Sequence, residues 1–208
     1  MEIKDNEIII IGNGSSILNY EFGDVINNFK EVVRINDFEI EGYEKYIGTK
    51  TTIWGRSNSN RTKNRLIDDS ISVVIASPHW NYKNVKDKMR LYKKSSCVSM
   101  KDSWYLQEDL GLMGRCRSAS RRRGWPSTGL LIIYYFLKKY KTIYIHGFDF
   151  FKDDKGDSRH YYNNKELMRV QTSRNHNGEK EKKWVMKKVK EKRIKILREI
   201  IVEKYNKK

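Results

Sequence analysis

Five short apolar runs shape this chain: EIIII at 7–11, EVVRI at 31–35, TTIW at 51–54, SISVVIAS at 70–77 and TIYIH at 142–146. Each ends at a polar turn or at one containing glycine or proline. Runs this short and mostly apolar read as strands covered on both sides. Between them, 81–92, 103–113 (with Asp102 as its cap) and 127–140 read as helices, and 97–100 as a further short strand. Strands alternating with helices predict an α/β fold with a mostly parallel sheet flanked by helices. No repeat or linker interrupts the pattern, and both prolines, Pro78 and Pro126, fall at loop ends, so 1–208 is expected to form one domain. From 179 onward the chain carries 13 lysines and arginines against five glutamates. Trp184, Val185, Val189, Ile196, Leu197, Ile200 and Ile201 recur there at helical spacing. That predicts one basic amphipathic helix over about 179–206, packed on the sheet rather than lying on a membrane.

Only 38% of the 208 residues are apolar, so the 13 tyrosines and five tryptophans must supply much of the buried area. The net charge of +17 favours an anionic partner: a nucleotide donor, an acidic glycan, nucleic acid or a lipid face. Lysine-rich coding in an AT-rich genome explains the same charge without a partner. Cys97 and Cys116 have the spacing of neither a metal site nor a disulfide framework. The opening MEIKDNEIIIIGNG is too short to span a membrane and lacks a signal-peptide cleavage region. The chain is therefore expected to be soluble and cytoplasmic.

Ligands of open parallel sheets bind beyond the carboxyl ends of the strands. The residues there are Gly12-Asn13-Gly14-Ser15-Ser16, Asn36-Asp37, Gly55-Arg56, Pro78-His79 and Gly147-Phe148-Asp149. The GNGSS turn offers amides to a phosphate, although it lacks the third glycine of a dinucleotide fingerprint. PSTG, Pro126 to Gly129, opens a helix: Ser127 or Thr128 either caps it or turns a hydroxyl to a ligand. Of the four histidines, His146 lies in a strand and is expected to be a satisfied core residue. His79 follows a strand, and His160 heads an HYY triplet. His176 precedes Glu179 and Glu181, carboxylates that would fix its tautomer and raise its basicity for general-base work. The same acids equally suit a helix first turn.

These motifs, in this order, resemble family 29 glycosyltransferases, the sialyltransferases that use a CMP-activated sugar. IIIIGNGSSIL with VVRINDFEIEGYEKYIGTKTTIW is similar to the large sialylmotif, and PSTGLLIIYYFLKKYKTIYIHGFDF to the small one. His160-Tyr161-Tyr162 is similar to the third motif, and His176 with Glu181 to the very small one. The resemblance covers about 7–181 and implies a single Rossmann-like domain, a variant of the GT-A-like sialyltransferase fold. It implies that Ser127, Thr128 and Gly129 line the cytidine and that Asn13 and Asn36 contact phosphate and ribose. Gly14, Ser15, Asp37 and Tyr161 complete the expected nucleotide-sugar site. His160 would act on the departing phosphate as acid or hydrogen-bond donor, and His176 would deprotonate the acceptor hydroxyl. The implied reaction is an inverting single displacement, without metal or other cofactor, from a CMP-sugar donor to a glycan hydroxyl. Asp68-Asp69 and Asp153-Asp154 are expected to be solvated loop acids.

The chain departs from the animal members of that family. Tyr140 or Lys141 stands at the small-motif cysteine position, so their disulfide has no counterpart, and the anchor and stem are expected to be missing. A microbial or viral version in a reducing compartment is the expectation. Five arginines between Arg115 and Arg123 precede PSTG. They leave open two other outcomes: a transferase acting on DNA or a nucleotide, and a nucleic-acid-binding protein with a non-catalytic core.

Overall fold

The computed structural model describes residues 7–59, 62, 67–78, 82–112, 124–151, 160–162 and 176–205, with side chains through Ile201. Seven strands form one sheet: β1 (Ile8–Ile11), β2 (Glu31–Ile35), β3 (Ile53–Ser57), β4 (Ser72–Ala76), β5 (Ser95–Cys97), β6 (Ile143–His146) and β7 (Ile194–Ile196). Their order is β5-β4-β3-β2-β1-β6-β7, and every described pairing is parallel. The sheet expected from the five apolar runs is present, with β1 near its centre.

β1 is four isoleucines and is buried on both faces. Ile8 and Ile10 turn to one apolar layer, made with α4 (Met100–Asp109), α5 (Thr128–Leu137) and α6 (Gly178–Lys190). Ile9 and Ile11 turn to the other, with the 3₁₀ turn Ser15–Asn19, α1 (Gly23–Asn27), α2 (Glu44–Ile47) and α7 (Leu197–Tyr205). Each such isoleucine contributes roughly 2 kcal/mol of hydrophobic stabilisation, the strongest reason for this strand to sit inside. α3 (Val85–Met89) covers the far end near Trp54 and Ile75.

Three boundaries differ from the sequence reading. β3 continues through Gly55 and Arg56, both buried, so these lie in a strand rather than in the turn after it. α4 begins earlier than expected and is capped by Ser99, whose side chain accepts from Asp102 N at 3.0 Å. Asp102 instead holds Lys138 at the end of α5. The single C-terminal helix is two helices with a strand between them. Lys192 takes φ 57° and Arg193 donates to the carbonyls of Lys141 at 2.7 Å and Leu137 at 2.5 Å. That anchor turns the chain, and Ile194–Ile196 alternates with period two to join β6 as the sheet edge.

His146 ends β6 within a ring cluster, 5.4 Å from Phe22 and 6.5 Å from Tyr20. It is buried as expected but not satisfied: Nε2 has no partner among the described residues. Burial, with Arg198 adding to it, pushes its pKa down to about 3. The folded protein therefore holds this ring neutral while the unfolded chain protonates it near 6.5, so stability is lost as pH falls from about 6.5 towards about 3. His146→Leu removes both the orphan nitrogen and this loss. It should raise unfolding free energy by about 1–2 kcal/mol in urea at neutral pH, and by more at pH 5.

Candidate functional site

After β1 the chain works outward through β2 to β5, then returns to the other flank of β1 as β6. This reversal opens a crevice at the carboxyl ends of β1 and β6. Gly12 N donates to His146 O at 2.8 Å and Gly14 N to Gly147 O at 2.9 Å. A Cβ at Gly12 would collide with Gly147 O, and one at Gly14 with the Asp149 carboxylate. Asp149 also accepts from Ser16 N at 3.0 Å and from the Ser16 hydroxyl. The glycines of GNGSS thus serve close packing of two turns. The amides of Gly12, Gly14, Ser16 and Ile17 all meet protein oxygens rather than facing a phosphate.

Asn13 is the joint between three segments. Its Nδ2 donates to Ile35 O at 2.9 Å and Asp37 O at 3.3 Å, and its carbonyl accepts from Tyr161 N at 3.0 Å. Asn36 sits in the left-handed region at φ 51°, where its Oδ1 accepts from Ser57 N at 2.8 Å. Its remaining side-chain group is the Nδ2 donor, at the end of β2. His160 forms an isolated antiparallel bridge with Gly14 and lies 5.1 Å from the Tyr162 ring. Burial pushes its pKa down, with Asp37 pulling the other way.

Tyr161 is held by the backbone of the segment after β2. It is 2% exposed, and its hydroxyl donates to Glu39 O at 2.6 Å while accepting from Glu39 N at 3.1 Å. Both directions of the hydroxyl are in use, and the ring braces Tyr43 edge-on.

PSTG does begin a helix. Ser127 is the N-cap of α5, its Oγ accepting from Leu130 N at 3.2 Å. The same hydroxyl donates to Glu181 Oε2 at 2.7 Å, and Ser127 N donates to Oε1 at 2.8 Å. Thr128 is the first helical residue, and Gly129 admits Phe148 so closely that a Cβ would stand 2.9 Å from its ring. Ser15 and Asp37 are half-buried at the crevice.

His176 and Glu181 do not act on each other. His176 Nδ1 lies 2.9 Å from Trp125 O, and the ring stacks on Phe151 at 5.6 Å and 6°. A carbonyl only accepts, so Nδ1 carries the hydrogen and Nε2 keeps its lone pair. The expected rise in basicity from a carboxylate is absent: burial pushes the pKa of His176 down, and the Trp125 hydrogen bond only partly opposes it. Glu179 is exposed in the first turn of α6, as a dipole partner would be. Asn177 caps α6, and Gly178 is required because a Cβ there would meet Phe150 O.

One functional-looking group escaped the sequence reading, the Trp125 carbonyl, which carries no residue-type signal. Asp149 was marked by its place after β6, but its approach to Ser16 was not. Arg115–Arg123, Cys116, His79 and Asp153-Asp154 lie outside the described residues. Asp68 and Asp69 are exposed, with Asp69 paired to Lys93 at 2.9 Å, as expected of loop acids.

Burial pushes the Glu181 carboxyl up to about 7, against the two Ser127 hydrogen bonds that lower it. In the unfolded chain it ionises near 4.5, so the folded state holds the proton longer and stability falls as pH rises from about 4.5 to about 7. Glu181→Gln removes this slope. Its unfolding free energy, relative to wild type, should climb by about 3 kcal/mol across that window and level off above it.

The model of "Glycosyltransferase family 29 (sialyltransferase)" matches residues 6–76 and 59–194. CMP-N-acetylneuraminate-beta-galactosamide-alpha-2,3-sialyltransferase 4 of Mus musculus is 27% identical over 176 residues, 74% of this chain and 53% of the mouse protein. CMP-N-acetylneuraminate-beta-1,4-galactoside alpha-2,3-sialyltransferase of Homo sapiens is 24% identical over 218 residues, 90% of this chain and 56% of the human one. The chain thus spans about half the length of these curated relatives. A solved mammalian sialyltransferase in complex with Gal-beta-1-3GalNAc-ortho-nitrophenol shares the fold at TM-score 0.68 and 19% identity, over 92% of this chain and 68% of that one. The cytoplasmic expectation is corrected by these relatives, since the homologous sialyltransferases are Golgi lumenal enzymes. They are also mammalian rather than microbial or viral, and they lend no support to a nucleic-acid partner. No helix among the described residues is long and apolar enough to cross a membrane. The chain belongs to glycosyltransferase family 29, the sialyltransferase family.

Proposed function

We propose that this chain is a glycosyltransferase that moves sialic acid, or a related sugar, from a CMP-linked donor to a hydroxyl of a galactose-type glycan. The observation that carries this is the placement of His176. Trp125 O, one residue before PSTG begins, fixes its tautomer at 2.9 Å, so Nε2 is the basic atom. The acceptor and donor classes rest on the family and on the relatives' names, which specify CMP-N-acetylneuraminate and β-linked galactosides.

In this reading the CMP group lies at the start of α5, against Ser127, Thr128 and Gly129, with the Asn36 Nδ2 donor above β2. Asn13 acts by shaping that floor. His176 Nε2 takes the proton of the acceptor hydroxyl as its oxygen bonds to the anomeric carbon. The bond from that carbon to the CMP phosphate breaks with its electron pair leaving on phosphate, so the configuration inverts. His160, held neutral by burial, donates a hydrogen bond to the departing phosphate rather than a full proton. The amino end of α5 adds its dipole to the same charge. No step calls for a metal ion.

CMP and CDP should raise the melting temperature well above the effect of UMP or GMP, with or without a chelator. A requirement for Mn²⁺, or a stronger response to UDP, would contradict the donor assignment. His176→Ala should lower turnover by about 10²–10⁴-fold with CMP affinity nearly intact. Because burial lowers the pKa of His176, the acidic limb of kcat/KM should fall below pH 6.5. A limb above that value would mean that another group supplies the base.

A further inference from the structure

The chemistry above gives Glu181 no task, yet its place is specific. It is 2% exposed and grips Ser127 twice, at N and at Oγ, 2.8 and 2.7 Å away. An ionised Glu181 is therefore an internal anion at the amino end of α5, where the proposed function also brings the CMP phosphate. Two anions sharing one water-poor end of a helix do not both stay ionised.

Among the described residues, several charged and titratable neighbours have partners of their own. On α6, Lys180 reaches Gly111 O at 2.8 Å, and His176 just before that helix holds Trp125 O. On α4, Asp109 takes the indole N–H of Trp184. On α5, Tyr134 stands against the Trp184 ring at 6.2 Å. The 150–151 segment packed on the start of α6 offers only Phe150 and Phe151.

Ser127 has a conflict of its own. Its Oγ accepts from Leu130 N and its single hydrogen goes to Glu181, so it has no donor left for a ligand. A proton on Glu181 Oε2 resolves this. Oε2–H then donates to Ser127 Oγ, which accepts twice, and the Ser127 hydrogen is released towards the phosphate.

We propose that Glu181 is the positioning residue of the donor site, holding Ser127 and taking up one solvent proton when CMP binds so that the Ser127 hydroxyl turns to the ligand. The inference rests on the reading that CMP binds at the start of α5. Burial supports it independently, by bringing the carboxyl to about 7, where the proton is within reach at neutral pH.

The test is calorimetric titration of CMP into wild type and Glu181→Gln, in two buffers of different ionisation enthalpy, from pH 6.5 to 8.5. The proton on CMP itself is common to both proteins and cancels in the comparison. Glutamine donates from Nε2 to Ser127 Oγ permanently, as protonated Glu181 would. Wild type should therefore show a buffer-dependent heat, and an affinity falling by up to tenfold per pH unit above neutrality, that the variant lacks. Identical buffer dependence and pH slope in the two proteins would overturn the proposal. A second readout covers a variant that fails to fold: CMP added to wild type should raise the protonated-carboxyl band in an infrared difference spectrum. No rise would count against the proton uptake. No CMP binding at all would instead refute the donor reading beneath it.

Discussion

The site exists because the turn after β1 lies directly against the turn after β6. Gly12 and Gly14 permit it, each occupying a place where any side chain would strike the opposite turn. The turn after β1 donates both backbone hydrogen bonds, at 2.8 and 2.9 Å, to carbonyls of His146 and Gly147, and Asp149 closes the contact through Ser16. With the floor built this way, other segments add polar groups around it: Asn36 at the end of β2, His160 through its bridge to Gly14, and Ser127 at the head of α5.

Charges inside this core are handled by backbone rather than by opposite charges. Arg34 is buried on β2 and donates to the carbonyls of Ile47, Gly48 and Lys50 and to Thr51 Oγ1, between 2.8 and 3.2 Å. Burial still pushes its pKa down to about 10, with Tyr161 the smaller opposing influence. A planar guanidinium reaches several carbonyls at once, which an ammonium point charge does not. The end of β2 at Arg34 and the 47–51 loop are therefore two halves of one structural unit. Glu181 follows the same logic with the sign reversed, gripping a backbone N–H and a hydroxyl.

The sequence made the sheet legible because β1, β2, β4 and β6 are buried on both faces, and apolar runs of four or five residues have few other uses. It also marked the head of α5, since proline followed by serine is a helix start for local reasons. The tail was harder to read. Helical spacing through Trp184, Val185 and Val189 continued plausibly into Ile196 and Ile200, and only the anchoring of Arg193 on the Leu137 and Lys141 carbonyls shows why the chain turns at Lys192. The candidate residues were named by motif, and the motif did not give their partners. Tyr161 braces the backbone of Glu39, which is 122 residues away in sequence. Glu181 looked like a companion of His176 and belongs to Ser127. Side-chain direction on the first turn of α6 decides that, and spacing alone does not.

That pairing ties the segment holding His176 to the head of α5. His176 and Glu181 flank the start of α6, and their partners, Trp125 O and Ser127, flank Pro126 at the start of α5. Two helix beginnings are thus stapled at two points, five residues apart at the start of α6 and two apart at the start of α5. A shift of α6 that drew His176 off Trp125 O would also draw Glu181 off Ser127. Gly178, wedged against Phe150 O, and the Phe151 ring stacked on His176 remove the slack on the remaining side. If CMP binds at the start of α5 as proposed, donor binding and the orientation of His176 become one structural event. The contacts of His176 and Glu181 meet in the three residues from Trp125 to Ser127.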